Sequence, residues 1–314
     1  MELPPQRAAV FPPALLVTAL IVGTAPWWAK SVGLYPYLAL EVLVWMIFAL
    51  GYNLLLGYGG LPSFGHGAFF GIGAYGFGLA QLKFGINFGG AMALGILAAA
   101  LAGAIVGAFI SHRRGIYYAL LTIAFGQVFW FLAIKWHTLT GGEDGLLNIK
   151  RPAMLASNEA LHLFALGAFV TVAFLLWRLV QSPYGRILGA VKQNETRAAF
   201  VGHNTWLYKW SAFVISCAVA GLAGALFALA QQSAYPNVMS LHNSGFVVMM
   251  VLVGGGLVSF WGPVIGAAFF LLARDLLGAY TETWLLWYGL LFMAMVLFRP
   301  EGIAGLFKKP ARAT

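Results

Sequence analysis

Charged residues are scarce in this chain of 314 residues. Asp, Glu, Lys and Arg make up 9% of the sequence, whereas hydrophobic residues make up 61% and the mean hydropathy is +0.85. An average soluble domain carries about 25% charged residues, so a soluble chain of this composition would lack the polar surface that keeps a protein in water. The scarcity of charge excludes an ordinary soluble domain and indicates that lipid surrounds most of the surface.

Cysteine is nearly absent as well. The single Cys217 excludes an intrachain disulfide and a cysteine-based metal cluster. It lies in a long apolar run, which predicts a buried and inert thiol. The formal net charge of +9 would suit a nucleic-acid partner, but the basic residues are spread over short loops. Membrane topology explains that distribution better, so we expect no nucleic acid.

The motifs of common catalytic and energy-coupling sites are also missing. The sequence contains no Gly-Lys pair, and therefore no Walker-type phosphate loop. It has neither a His-Glu-x-x-His metal site nor a Gly-x-Ser-x-Gly nucleophile elbow. The nine acidic residues are scattered, with no carboxylate pair for a proton relay within an apolar run. We therefore expect no enzymatic activity, no cofactor and no metal, and a pathway whose energy comes from elsewhere.

Apolar runs are what the sequence has in abundance. A helix needs about 20 mostly apolar residues to cross a bilayer. The third, eighth and ninth runs are short, which predicts half-helices or re-entrant segments there. We expect an all-α, polytopic membrane protein with about ten transmembrane helices, some short or broken, in a single transmembrane domain over residues 1–314. The ten runs are residues 11–29, 36–57, 67–82, 88–110, 116–136, 160–180, 208–231, 245–259, 263–279 and 283–298.

The basic residues predict the orientation of these spans. With ten spans and the N-terminus inside, twelve Lys and Arg residues fall on the cytoplasmic side and five on the other. Cytoplasmic loops carry the excess of basic residues, so both termini are expected in the cytoplasm. The first run ends at Trp27 and Trp28 without a small-residue cleavage site, which favours a retained helix over a signal peptide.

One segment between spans is unusually rich in glycine. Residues 57–67, with the sequence GYGGLPSFGHG, hold five glycines and a proline, which do not form a stable continuous helix. Two interpretations stay open. The segment is either a simple turn between spans, or a break at membrane depth that lines a substrate pathway, as in many transporters. In the second case Ser63, Gly65 and His66 are the candidate pathway residues, although a lone histidine is more often structural.

A few polar side chains fall within or near the spans. Gln127 lies in the middle of the fifth run, where its amide needs a partner. Hydrogen bonding to another helix and lining of the pathway are both open for it. Glu41, Arg274 and Asp275 lie near span ends, where they either sit at the membrane interface or pair with neighbours.

Two loops carry further signals. Residues 140–146, TGGEDGL, predict a tight turn or a docking or gating loop on the outer face. Residues 182–206 form a long polar loop on the inner side. Their stretch 189–202 predicts either a short amphipathic helix at the membrane face, offered to a partner's groove, or a solvated connecting helix.

Taken together, these motifs resemble the LivM-type permeases of branched-chain amino-acid ABC importers. The resemblance covers about residues 35–307, and its motifs are specific in their combination and order. They lie in the segments 53–75, 118–127, 140–146, 191–202, 253–266 and 299–306.

The resemblance implies a partner set and a role for the loop 182–206. A LivM-type subunit pairs with a sibling permease, two cytoplasmic ABC ATPases and a periplasmic or lipid-anchored solute-binding protein, in the bacterial plasma membrane. The loop 182–206 is then the cytoplasmic coupling loop that docks on an ATPase. Thr196 and Arg197 separate the glutamate from the two alanines that are contiguous in the generic motif. The candidate coupling residues are Glu195, Arg197, Ala198, Ala199 and Gly202.

The expected function is that of a permease subunit of an ATP-driven importer of leucine, isoleucine and valine. The pathway would lie at the interface with the sibling permease, with Ser63, Gly65, His66 and Gln127 as candidates. An importer of urea or short amides within the same family is an alternative. A stand-alone secondary transporter or channel, and a membrane scaffold, are alternatives of other classes.

Overall fold

The computed structural model describes residues 13–24, 36–255, 259–298 and 302–304. Within these ranges the chain is helical and has no β-strand beyond one isolated bridge, between Leu146 and Ala234. The predicted all-α class is therefore confirmed. The residues near both termini, among them Arg7, Lys308 and Lys309, lie outside the described ranges. The α-helices are α1 (Pro13–Gly23), α2 (Pro36–Asn53), α3 (Gly67–Leu82), α4 (Phe88–Ile110), α5 (Gly115–Lys135), α6 (His137–Thr140), α7 (Asn158–Gln181), α8 (Pro183–Gln193), α9 (Glu195–Phe200), α10 (Thr205–Gln231), α11 (Leu241–Gly255), α12 (Gly262–Tyr280) and α13 (Trp284–Phe298).

Each of the ten predicted spans overlaps a helix within the described residues, although the first (11–29) and the eighth (245–259) also include residues outside them. In the part of the chain that the structure describes, six helical segments are long and apolar enough to cross a membrane: Tyr37–Gly59, which is α2 with its extension, and α4, α5, α7, α10 and α12. The chain is thus a multi-pass membrane protein. The third and eighth spans are short as predicted, at 16 residues for α3 and 15 for α11. The expectation that the ninth span is short was wrong, because α12 extends over 19 residues.

The long helices run alternately between two ends of a bundle. We call the end that carries α8 and α9 the basal end, and the end that carries residues 136–157 the apical end. The helix α5 begins basally and ends apically, and α7 returns. The helix α10 rises from the basal end again, and α2 ends there in π-helical turns over Leu54–Gly59.

Close helix packing through glycine forms the centre of the bundle. The helices α3, α4 and α10 contact one another, and the buried Cys217 lies on α10 as predicted. A Cβ atom added to Gly73 of α3 would lie 2.2 Å from the carbonyl oxygen of Gly221 of α10. In lipid no hydrophobic effect drives helices together, so close backbone approach supplies the contact. Glycine at position 73 therefore allows α3 and α10 to pack backbone against backbone.

The glycine-rich segment forms a turn that is followed by a non-helical break inside the bundle. The chain turns at Gly60, whose φ is +64°, at the basal end. Residues 61–66 then return into the bundle without helical structure, and α3 begins at Gly67, inside the protein. The first turn of α11 contacts this start, because the Gly67 backbone N–H donates to Ser244 Oγ at 2.9 Å. The N-terminal turns of two short helices thus meet at the end of the break.

Candidate functional site

Hydroxyl groups from neighbouring helices satisfy the backbone of the buried break, which we define as residues 61–66. The Ser63 N–H donates to Tyr52 Oη on α2 at 3.0 Å. The Phe64 N–H donates to Thr122 Oγ1 on α5 at 3.1 Å. Backbone groups that lack helical partners need replacements in an apolar interior. These hydroxyls supply them, so the break is held by several helices at once.

His66 is buried completely at the end of the break. The Ser216 hydroxyl donates to the Gly51 carbonyl at 2.7 Å, and it lies 2.9 Å from His66 Nε2. A hydroxyl has a single proton to donate, so it accepts a hydrogen bond from Nε2, and the imidazole carries its proton there. This favours a structural role that ties α2 to α10. Four aromatic rings surround the imidazole, with centroids 5.4 to 6.0 Å away: Phe48, Tyr52, Phe69 and Phe213.

Three buried polar atoms at or beside the break have no hydrogen-bond partner in the described part of the chain. They are Ser63 Oγ, His66 Nδ1 and Tyr118 Oη. A buried unsatisfied group costs about 1–3 kcal/mol, and native proteins contain few of them. These groups therefore retain the capacity to form further hydrogen bonds at the break.

Gly65 brings the break into backbone contact with α5. A Cβ atom on Gly65 would lie 1.8 Å from the Thr122 carbonyl oxygen, and one on Gly126 would lie 3.0 Å from the Gly65 Cα. Only glycine fits at position 65. The structure thus brings Ser63, Gly65 and His66 together and places α5 directly over them.

Gln127 follows Gly126 but points away from the break. Its side chain is exposed, on a face of α5 that also exposes Leu120, Val128 and Phe131. An amide in the middle of an apolar span is unfavourable against lipid and normally faces a partner helix or a water-filled cavity. The face that carries Gln127 is therefore suited to contact another polypeptide or the transported solute.

The loop 182–206 folds into two helices, where the sequence predicted one. Asn194 leaves the helical conformation, with φ −157°, and its Oδ1 accepts a hydrogen bond from the Arg197 N–H at 2.9 Å. It thereby ends α8 and caps α9. The Lys192 ammonium donates to the Gly57 carbonyl at 2.7 Å, which joins α8 to the basal end of α2. Partial burial lowers the pKa of this ammonium.

Glu195, the first residue of α9, points inward to its own chain. Its Oε2 lies 2.9 Å from Arg114 Nε, and its Oε1 lies 2.9 Å from Lys209 Nζ. The Thr205 hydroxyl donates to the same Oε1 at 3.0 Å. Two cations and one hydroxyl thus converge on a side chain that is 14% exposed. Sequence reasoning missed both cationic partners, because Arg114 is 81 positions before Glu195 and Lys209 lies beyond the coupling loop, on α10.

The outer surface of α9 is apolar at its tip. Phe200 is 87% exposed and Val201 is 73% exposed. Among the other candidate coupling residues, Arg197, Ala199 and Gly202 are exposed, whereas Ala198 is buried. Sequence reasoning did not single out Val201. The signal was available, because Phe200 and Val201 are an adjacent apolar pair in a polar loop.

An ion pair joins helices in the apical half. Arg274 on α12 donates through both terminal nitrogens to the Glu41 carboxylate on α2, each at 2.9 Å. Of the two alternatives left open for Glu41 and Arg274, pairing with a neighbour is therefore observed.

The turn predicted at residues 140–146 is also present, and Leu146 exchanges backbone hydrogen bonds with Ala234 at 2.7 and 2.8 Å. The turn is thus fixed to the segment that follows α10.

Comparison with known proteins identifies relatives over most of the chain. Residues 35–299 match the family model described as branched-chain amino acid transport system / permease component. The high-affinity branched-chain amino acid transport system permease protein LivM of Escherichia coli (strain K12) is 30% identical over 317 residues, which is 92% of this chain and 74% of that protein.

Two further relatives carry similar names. The LivM protein of Salmonella typhimurium is 30% identical over 293 residues, which is 85% of this chain and 69% of that protein. A probable branched-chain amino acid transport permease protein LivM of Methanocaldococcus jannaschii is 22% identical over 319 residues, which is 83% of this chain and 92% of that protein. No solved structure matches the chain.

Proposed function

Because the chain belongs to the branched-chain amino acid transport permease family, we propose that it is one of two permeases of an ATP-driven importer of leucine, isoleucine and valine. Its partners are a sibling permease, two cytoplasmic ABC ATPases and a solute-binding protein. The complex lies in the bacterial plasma membrane, with the basal end and both termini in the cytoplasm. ATP hydrolysis belongs to the partner subunits.

The exposed tip of α9 is the observation that carries this proposal. Phe200 and Val201 project from a helix that is fixed to the bundle through Glu195 and the buried Ala198. An exposed apolar pair on a rigid support is typical of an anchor for a partner's groove. We assign α9 as the coupling helix and this tip as its contact with an ATPase. Arg197, Ala199 and Gly202 flank the tip.

Substitution of Phe200 tests this assignment. Phe200→Asp should weaken binding of the ATPases by about 30-fold or more, since a buried aromatic anchor contributes about 2 kcal/mol or more. Phe84→Asp is the matched control, because Phe84 is 70% exposed at the apical end. Affinity is measured by titrating the purified ATPase onto the chain in mild detergent. Equal affinities of the two variants would refute the assignment.

We assign the sibling permease to the exposed face of α5. A partner on this face would cover Gln127 and the apolar residues beside it, and the pathway would run between the two permeases. Ser63, Gly65 and His66 lie one layer deeper, behind α5. Their proposed contribution is to set the position of α5, and with it the position of Gln127 in the pathway.

Alternating access supplies the mechanism. The binding protein delivers the amino acid at the apical end. ATP binding and hydrolysis shift the permease pair between outward-open and inward-open states, because a ligand moves an equilibrium only through different affinities for its states. The chain offers two elements suited to such a shift: the coupling helix α9 and the non-helical break behind α5.

A further inference from the structure

Glu195 contacts the two helices that hold the buried break. Lys209 lies in the first turns of α10, and Arg114 immediately precedes α5. The Lys209 side chain is 2% exposed, and its Nζ also donates to the Arg113 carbonyl at 3.3 Å. One carboxylate at the start of α9 therefore joins three helices at the basal end.

The same two helices also contact the break through polar side chains. On α10, Ser216 is seven residues after Lys209 and binds His66. On α5, Thr122 is eight residues after Arg114 and accepts from the Phe64 N–H. At a rise of 1.5 Å per residue these intervals correspond to about 10 and 12 Å. Two short, rigid helical segments thus connect Glu195 with the two ends of residues 64–66.

We propose that Glu195 is a positioning residue that transmits displacement of α9 to α5 and α10, and through them to the break and the face that carries Gln127. This inference rests on the proposed function and deepens it, because it assigns Glu195 to transmission and leaves the binding of the ATPase to the exposed tip. It also places the coupling element inside this chain, at the junction of α9 with the bundle.

The burial of Lys209 explains why Glu195 and Lys209 stay paired when α9 is displaced. A buried ammonium that loses its carboxylate is strongly unfavourable, so separating Glu195 from Lys209 costs more than moving the two together. The apolar packing of the buried Ala198 is not directional, unlike the ion pair between Glu195 and Lys209. When α9 is displaced, the start of α10 follows it.

The test measures leucine imported per ATP hydrolysed by the complete complex in proteoliposomes. We expect Glu195→Gln to assemble with the ATPases into a complex that still hydrolyses ATP. The ratio of leucine imported to ATP hydrolysed should fall about fivefold or more, which is the lower end of ordinary allosteric couplings. Glu159→Gln is the matched control, since Glu159 is exposed at the apical start of α7. Its ratio should equal that of the wild type.

The double variant Glu195→Gln/Lys209→Met guards against a folding defect, because it leaves no buried ammonium without its carboxylate. It should show the same loss of ratio as Glu195→Gln alone, and Lys209→Met alone should show it too. Such non-additivity is the direct measure of coupling between two residues. If Glu195→Gln does not accumulate in cells, the ratio of leucine to ATP measured for the double variant decides whether the inference holds.

Two results would overturn the inference. One is a wild-type ratio in the Glu195→Gln complex or in the double variant. The other is loss of ATPase binding by these variants, which would make Glu195 a docking residue. Failure of the wild-type chain to assemble with ATPases, or uptake without ATP, would instead refute the proposed function.

Discussion

Substitution of Gly65 by alanine should destabilise the protein at the contact between the break and α5. The added Cβ would lie 1.8 Å from the Thr122 carbonyl oxygen, whereas ordinary van der Waals contact begins at 3.4 Å. The two backbones must therefore separate by about 1.6 Å. The carbonyl belongs to the backbone of a helix, so no side-chain rotation relieves the overlap.

Two terms contribute to the loss. Overpacking in a close-packed interior costs about 1–3 kcal/mol. The separation also stretches the hydrogen bond from the Phe64 N–H to Thr122 Oγ1, now 3.1 Å, and leaves a buried donor unsatisfied. That loss costs about another 1–3 kcal/mol. We expect the free energy of unfolding to fall by about 2–6 kcal/mol.

Unfolding of the detergent-solubilised chain in sodium dodecyl sulfate, followed by the fluorescence of its eleven tryptophans, measures this change. Gly167→Ala is the matched control, because a Cβ there meets nothing within 4 Å in the helix α7. It should stabilise the protein by about 0.5–1 kcal/mol, as alanine does in a helix. If Gly65→Ala proves as stable as Gly167→Ala, the description of the break as a close backbone contact is refuted.

Other substitutions separate stability from transport. Glu41→Gln should lower the free energy of unfolding by about 1–2 kcal/mol, since it breaks a charge-assisted contact with a partly exposed Arg274. Glu143→Gln, at an exposed site, should leave it unchanged in the same titration. Gln127→Leu should keep the stability of the isolated chain within about 0.5 kcal/mol because the side chain is exposed. It should nevertheless lower the rate of leucine uptake by the reconstituted complex, whereas Val128→Leu should not; equal uptake by both would remove Gln127 from the pathway.

The helices were predictable because their signal is local. Long apolar runs predicted the bounds of α3 and α4 to the residue, since a span must be apolar along its whole length. The division of the coupling loop was missed, although Asn194 before Glu195 is a recognisable N-cap signal. The ninth run, residues 263–279, was predicted to be short for a full crossing, whereas α12 extends one residue further at each end and reaches 19 residues.

The site was less accessible to sequence reasoning because its contacts are distant along the chain. Ser63, Gly65 and His66 could be grouped by position alone. The hydroxyl partners of the break could not be found that way: Thr122 is 58 positions from Phe64, and Ser216 is 150 from His66. The inward orientation of Glu195 depends in the same way on helices that pack only after folding.

Uptake of labelled leucine by proteoliposomes tests the central claim most directly. The chain is purified in mild detergent from its native cells together with the proteins that accompany it, and the complex is reconstituted with and without ATP. The account predicts uptake that requires ATP and the binding protein, and that valine and isoleucine inhibit but urea does not. Uptake by the chain alone without ATP would contradict it and identify a stand-alone transporter or channel, and ATP-dependent uptake of urea in place of leucine would assign the complex to the other substrate class.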